Sequence, residues 1–402
     1  MMTPMSERSE FCTRCGCCAY VCPQGCIQVQ SDGYPVRGEG CTECGLCEKV
    51  CPGTGVDLRK AAENLFVEGE YNRYIGMFRK TYTGCATDDL IREKATSGGV
   101  CTSLLVYLLE KGEIDGALVV SMDKEKPWKT TYVVATSKEE IVQSAQTKYQ
   151  VTPLNVRLEA LPLEKIAVVG LPCVIQGLRK IQEHSPPGRK IKLLIGLFCW
   201  VNMEREATEF LLHKLKSNLH DVERIEYRSG DYLGGFKIQL KNGKVKFLEK
   251  ECYNMLPFLF AAERCLYCTD FTNELADISM GDAKFLKSKK GHTIVITRSE
   301  IGEKMLKDCE QSGYIHTGLC NVDTIIHSES SALLFKKGAY QRMQKRGITH
   351  YGEKYEIPLK NRVFALIFRG VHRNRTFFKK LLSIMPLSFF KVISRLITRE
   401  RS

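Results

Sequence analysis

The chain has 402 residues, 44% of them hydrophobic, 19 cysteines and a formal net charge of +13. That size gives room for two or three globular domains. It excludes a short secreted disulfide scaffold. No run approaches the ~18 apolar residues that span a bilayer. Met1 to Glu10 is polar and has no apolar core, so no secretory signal is expected. The thiols are read as reduced, cytoplasmic and mostly metal-bound.

Ten of the cysteines lie in the first 51 residues. The first run is Cys12-x2-Cys15-x2-Cys18-x3-Cys22 followed by Pro23, and the second is Cys41-x2-Cys44-x2-Cys47-x3-Cys51 followed by Pro52. Three cysteines at this spacing wrap a loop around one face of a 4Fe–4S cubane, and the fourth, beside proline, reaches the other cluster. The spacing therefore pairs Cys12, Cys15 and Cys18 with Cys51, and Cys41, Cys44 and Cys47 with Cys22. Gly16 and Gly45 fall inside the loops, where a side chain would crowd the inorganic sulfides. Structural zinc also uses Cys-x2-Cys, but it gives no reason for two identical runs each closed by Cys-Pro. Cys17 and Cys26 are left over and read as small buried apolar residues. Residues 1–60 are thus expected to form a bacterial-type ferredoxin domain with two 4Fe–4S clusters.

Ala95-Thr-Ser97-Gly98-Gly99-Val100 precedes an apolar helix over 102–109, and such a turn suits either a phosphate or an ordinary helix cap. β-branched runs at 117–122, 166–170 and 191–198 predict strands, with helices at 139–144 and 173–182 between them. This alternation predicts a largely parallel sheet. Asn242-Gly243 between 236–240 and 244–248 predicts a hairpin. Strands are expected at 276–280 and 293–297, and a helix at 300–311. Cys265-x2-Cys268 lacks two ligands for a metal site, and Cys173 and Cys199, each ending a predicted strand, are candidates.

The stretch from about 75 to 330 resembles the β subunits of coenzyme F420 hydrogenase and dehydrogenase. The matching segments are Tyr82-Thr-Gly-Cys-Ala-Thr-Asp, Ser97-Gly98-Gly99-Val100, Thr147-Lys148-Tyr149, Gly170-Leu-Pro-Cys173, Gly196-Leu-Phe-Cys199, Cys265-x2-Cys268-x-Asp270-Phe271-Thr272 and Leu275-Ala276-Asp277-Ile-Ser-Met-Gly281-Asp282. The resemblance implies an α/β body that binds FAD and a third 4Fe–4S cluster. The cluster would be held by Cys173, Cys199, Cys265 and Cys268. Ser97, Gly98, Gly99 and Lys148 would contact the flavin, with Asp277 and Asp282 beside it. With its two-cluster head, the chain resembles the input module of the F420H2 dehydrogenase complex. The family's hydrogenase subunits lack such a head.

The function so implied is an FAD and iron–sulfur oxidoreductase acting on reduced coenzyme F420, with ferredoxin or a redox-complex subunit as the one-electron partner. A ferredoxin-fed reductase of another substrate and a non-catalytic electron conduit are the alternatives. No catalytic acid or base is assigned. Cys85, Cys101, Cys252, Cys309 and Cys320 gain no role.

Residues 331–402 read as a basic, partly helical tail. From 361 onward there are ten Lys or Arg and one acid, Glu400. Phe377, Phe378, Leu381, Leu382 and Met385 fall on one helical face, Pro386 breaks the helix, and Phe389, Ile393, Leu396 and Ile397 repeat the pattern. This suits packing on the body, peripheral contact with an anionic membrane, or docking to a redox partner. Nucleic-acid binding does not fit, because the charge is confined to the tail.

Overall fold

The computed structural model describes residues 11–157, 160–344 and 353–399, without the side chains of residues 187 and 395–399. The polar stretch Met1 to Glu10 therefore lies outside the described residues, as do the side chains of Leu396 and Ile397.

The head consists of α1 (Cys17–Val21), the hairpin β1 (Ile27–Val29) and β2 (Pro35–Arg37), α2 (Leu46–Lys49) and α3 (Leu58–Leu65), whose cap Asp57 accepts from the Lys60 N–H. The hairpin β3 (Glu70–Asn72) and β4 (Gly76–Phe78) leads into β5 (Lys80–Ala86), α4 (Asp89–Lys94) and α5 (Val100–Glu110). Then come β6 (Gly116–Met122), β7 (Thr130–Ala135), α6 (Lys138–Gln143), β8 (Ile166–Gly170), α7 (Pro172–His184) and β9 (Ile191–Leu197). Next are α8 (Glu206–Lys214), β10 (Val222–Ser229), β11 (Gly235–Leu240), β12 (Val245–Glu249) and α9 (Leu256–Phe260). The body closes with β13 (Ile278–Asp282), β14 (Thr293–Thr297), α10 (Glu300–Gln311) and β15 (Ile315–Leu319). Helices α11 (Val322–Ser328), α12 (Ser330–Lys337), α13 (Ala339–Gln344), α14 (Leu359–Arg373), α15 (Arg375–Ile384) and α16 (Leu387–Arg399) follow.

Among the described residues, eight strands form the main sheet in the order β15-β5-β14-β13-β9-β8-β6-β7. Only its centre is parallel: β13 with β9, β9 with β8, and β8 with β6. The flanking pairs are antiparallel, so the expectation of a largely parallel sheet is corrected to a mixed one. For two of these pairs the reason is connection length. Residues 123–129 join β6 to β7 and residues 283–292 join β13 to β14, both short of the roughly dozen residues a parallel crossover needs. β5 then pairs antiparallel with β14 and β15, strands far from it in the chain. β13 also starts two residues later than expected, and just ahead of it the Asp277 carboxylate accepts from the Leu194 N–H.

Period-2 alternation fills both faces of this sheet. Ala117, Val119, Ala167, Leu193 and Ile195 meet α5 and α10 on one side. Leu118, Ile166, Val168 and Leu194 meet α7 on the other. The second core is continuous with the head, since Cys15, Cys17, Tyr20, Val21 and Val50 belong to it. A separate three-stranded antiparallel sheet, β10-β11-β12, packs with α8, α9, α15 and α16. The hairpin at Asn242-Gly243 lies within it.

The head docks by very close contact. A Cβ on Gly177 of α7 would lie 2.4 Å from the Cys17 Sγ. The Leu154 N–H donates to the Cys15 carbonyl at 2.8 Å. Arg14, buried, grips Glu204 with two bonds of 2.6 and 2.7 Å. Gly177→Ala should therefore destabilise the chain by about 1–3 kcal/mol despite its better helix propensity. Gly370→Ala, in α14 where a Cβ meets nothing within 4 Å, should gain up to ~1 kcal/mol. Thermal unfolding of the two variants checks this, and equal melting temperatures would contradict the tight docking.

Candidate redox site

In the head, the structure gathers the cysteines into two groups. Cys12 and Cys18 both feel the charges of Cys15 and Cys51. Cys47 feels Cys22, Cys44 and Cys41. Burial pushes the Cys12 thiol up to about 12 and Cys18 higher still. Cys15 runs the other way, held at about 7, chiefly by the hydrogen bond from the Cys17 thiol. Cys17 is fully buried, whereas Cys26 is half-exposed with its Sγ 3.4 Å from that of Cys22. Cys26 is therefore a neighbour of the second group and not a core residue.

In the body, β8 and β9 run parallel, and each delivers a cysteine just past its C-terminal end: Cys173 in the first turn of α7 and Cys199 after β9. A single helical turn over Glu263–Tyr267 supplies Cys265, and Cys268 closes it. Burial pushes the Cys173 thiol well up, and the charges of Cys15, Cys199, Cys265 and Cys268 add to that. Cys199 stands at about 12 for the same first cause. The backbone N–H of Asn202 points at the Cys265 Sγ from 3.5 Å. Among the described residues no three His, Cys, Asp or Glu side chains converge as a single metal ion would require. A cubane, with one iron per thiolate, does not ask for that convergence.

Lys336 of α12 lies buried against this group. Burial lowers its affinity for a proton, but the thiol charges of Cys268, Cys199 and Cys265 outweigh that and raise its pKa. Its neighbour Lys337 is equally buried and donates to Glu274 at 2.5 Å. No motif in the sequence marks these lysines, since 63 residues separate Lys337 from Glu274 and neither stands in a local pattern with its partner.

All four body cysteines line one cavity of about 1420 Å³. Cys15 of the head lies on the same wall, and so do Cys101, Ser97, Gly99, Lys148 and Asp282. Gly98 does not line it: its backbone is pressed between β5 and β14, where a Cβ would lie 2.3 Å from the Gly84 carbonyl oxygen and 2.5 Å from the Thr293 Oγ1. The Ser97 hydroxyl donates to the His292 carbonyl. Gly99, at φ +80°, opens the eleven-residue helix α5. Lys148 donates to the carbonyls of Ser144, Ala145 and Gln146, and burial pulls its pKa down to about 7.

The two aspartates part company. Asp282 pairs with Arg228 at 2.5 Å on the cavity wall. Asp277 lies off the wall, bonded to Arg179 at 2.9 Å and to the Leu194 N–H at 2.8 Å. Its carboxylate ties β9 to α7, so its contribution is structural.

These residues fit both expected groups. Four thiols with an adjacent buried ammonium suit an anionic iron–sulfur cluster. Arg264, buried beside Cys265 on the cavity wall, keeps its Nε and Nη1 without a partner among the described residues, and such donors call for an acceptor, a role an anionic cluster or phosphate fits. The Ser97–Gly99 turn at a long helix start suits a phosphate. Arg264 is the residue that sequence reading missed with a signal in hand, standing immediately before the Cys265-x2-Cys268 pair.

Known proteins of similar sequence identify the family. The family models for the coenzyme F420 hydrogenase/dehydrogenase beta subunit match residues 81–159 (N-term) and 163–321 (C terminus). Coenzyme F420 hydrogenase subunit beta of Methanothermobacter thermautotrophicus is 31% identical over 252 residues, 60% of this chain and 85% of that protein. The coenzyme F420-dependent sulfite reductase of Methanocaldococcus jannaschii is 32% identical over 74% of this chain, which spans 46% of that protein. A subunit of the F(420)H(2) dehydrogenase of Methanosarcina mazei is 29% identical over 73% of this chain and 81% of that protein. A chain of the F420-reducing [NiFe] hydrogenase complex from Methanosarcina barkeri shares the fold, with a TM-score of 0.55 at 24% identity over 71% of this chain and 98% of that one. The chain belongs to the family of coenzyme F420 hydrogenase/dehydrogenase beta subunits, which are F420-linked oxidoreductases.

Lys148 gives the cavity a pH signature. An unfolded lysine keeps its proton up to about 10.5, whereas this one sheds it near 7. Its contribution to stability is therefore least favourable below pH 7 and improves as pH rises toward 10.5. In the flavin-free protein, Lys148→Met should raise the melting temperature more at pH 6 than at pH 9.5. A difference that stays constant with pH would contradict the depressed pKa.

Proposed function

We propose that the chain is an FAD and iron–sulfur oxidoreductase that moves electrons between reduced coenzyme F420 and a one-electron partner through three 4Fe–4S clusters. Residues 1–60 serve as the two-cluster head, 75–330 as the flavin and cluster body, and 331–402 as the tail. The observation that carries this reading is that Cys15, from the head's first group, lines the same cavity as the four body cysteines and the Ser97–Gly99 turn. The relatives' names supply the substrate class.

Bound flavin supplies the change from hydride to single-electron chemistry, and clusters carry electrons singly. The chain's own residues hold and tune. The Ser97–Gly99 turn binds flavin phosphates, and the charged form of Lys148, its three donors held by backbone carbonyls, adds positive potential at the cavity wall. Arg228, fixed by Asp282, keeps a cation at the cavity wall. Cys173, Cys199, Cys265 and Cys268 bind the body cluster, and Lys336 and Arg264 offset its negative charge. Val119, Val169, Leu105 and Met280 keep that wall apolar and exclude water. The head groups Cys12, Cys15, Cys18, Cys51 and Cys22, Cys41, Cys44, Cys47 carry electrons outward to ferredoxin or a redox-complex subunit. Reduced thiols in this number suit the cytoplasm.

A second reading keeps the body and changes the final acceptor. This chain spans 46% of a relative named as a coenzyme F420-dependent sulfite reductase, so the same module can stand beside a further reductase unit. A ferredoxin-fed reductase of another substrate is the reading that leaves F420 out. A pure electron conduit is the last reading.

Anaerobic mixing with reduced coenzyme F420 separates them. Reoxidation of the deazaflavin with bleaching of bound FAD, at about twelve irons per chain, is the expected result. A protein loaded with FAD and iron that stays inert would overturn the F420 assignment, and ferredoxin would be tried next. Lys336→Met should move the body cluster's reduction potential downward by on the order of 100 mV. A redox titration followed by electron paramagnetic resonance measures that shift, and an unchanged potential would remove Lys336 from the site.

A further inference from the structure

Helices α14, α15 and α16 each have two apolar faces, and only one is covered. In α14, Phe364, Phe368 and His372 pack inward, while Leu359, Val363, Leu366 and Ile367 lie on the opposite side, 44–75% exposed. In α15, Phe378 and Leu382 join the core of the three-stranded sheet. Phe377 and Ile384 are 64% and 81% exposed, with Leu381 between them on the same face. In α16, Phe390 is buried while Phe389 and Val392 are exposed. The reading that put Phe377, Phe378, Leu381 and Leu382 on one face is thus corrected: one turn splits them between body and solvent. A helix packed on a core normally shows water a polar face, so three in succession that do not call for a second covering surface.

The charge says what covers it. Between Ile357 and Arg399 there is no acidic residue, against ten Lys and Arg. Arg375 and Lys391 pair with Glu263 and Glu249 of the body, and Lys379 lies over the Phe260 ring. Lys360, Arg362, Arg373 and Lys380 stay exposed, with no ion pair among the described residues. On α14, Arg362 and Arg373 flank the exposed apolar stripe, and on α15 Lys380 flanks Phe377 and Leu381. Apolar side chains flanked on their own helices by cations and by no acid suit an anionic lipid surface. A protein interface core would be depleted of lysine. No described helix is long and apolar enough to cross a membrane, so the helices would lie along its surface.

We propose that α14–α16 form a docking surface for an anionic lipid membrane, holding the chain by insertion of Leu366, Ile367, Phe377, Ile384 and Phe389 and by the exposed cations. The test is co-sedimentation of the iron-loaded full chain with vesicles of phosphatidylglycerol and phosphatidylcholine, or of phosphatidylcholine alone. Pelleting with the anionic vesicles only is the expected result. The triple variant Phe377→Ser, Leu381→Ser, Ile384→Ser should lose at least ~100-fold in partition. Arg373→Gln with Lys380→Gln should lose on the order of tenfold. Unchanged iron content and melting temperature certify folding in both. A parent protein that stays in the supernatant at low salt overturns the proposal. So does a triple variant that pellets like the parent, or one that turns a dimeric parent monomeric, which would assign the surface to a second copy of the chain.

Discussion

The arrangement depends on one contact, the seating of the Cys12–Cys18 loop on α7 and on the backbone at Leu154. Gly177 leaves α7 without a side chain where Cys17 enters, and a Cβ on Gly16 would lie 2.3 Å from the Leu154 carbonyl oxygen. The Arg14–Glu204 pair fixes the angle. Because α7 also begins with Cys173, whatever seats the head on α7 brings Cys15 toward the body thiols. Electron transfer over protein distances needs such closeness, and here it is built from small residues rather than from a flexible linker.

The second constraint is charge in a low-dielectric interior. Arg298, fully buried, spans the carbonyls of Ile75, Met77 and Thr272 and the Ser279 hydroxyl. Burial pulls its pKa down to about 10. Lys337 meets Glu274 in the same region, and Lys336 faces the body thiols. A buried cation without compensation is costly, so these groups are held where anionic partners gather. The tail-side helix α12 thereby becomes part of the site.

Spacing and periodicity made a good deal of this legible. The doubled cysteine run anticipated which head thiols lie near one another, because its spacing is local. β14 and α10 came out at their observed bounds, since Thr293 to Thr297 is a continuous β-branched run and Ser299 caps α10 by accepting from the Gly302 N–H. The convergence of Cys173 and Cys199 followed from their position past parallel strands. Strand direction at one flank was not legible, because β5 pairs with β14 and β15, more than 200 residues away in the chain. Nor could a pattern show that Asp277 turns to Arg179 while Asp282 faces the cavity, or that Lys336 crosses to Cys268. These are long-range contacts between residues whose local sequence is unremarkable. In the tail, periodicity gave helices but could not say which of two apolar faces the body covers.

Head and body are docked as one unit, so that the head's first thiol group and the body thiols are neighbours. Electron paramagnetic resonance of the fully reduced, iron-loaded protein tests this most directly. Seating Cys15 beside Cys173 predicts split or broadened signals from magnetic coupling between the two clusters those thiols are proposed to hold. A spectrum that is the plain sum of isolated, uncoupled cluster signals would contradict it.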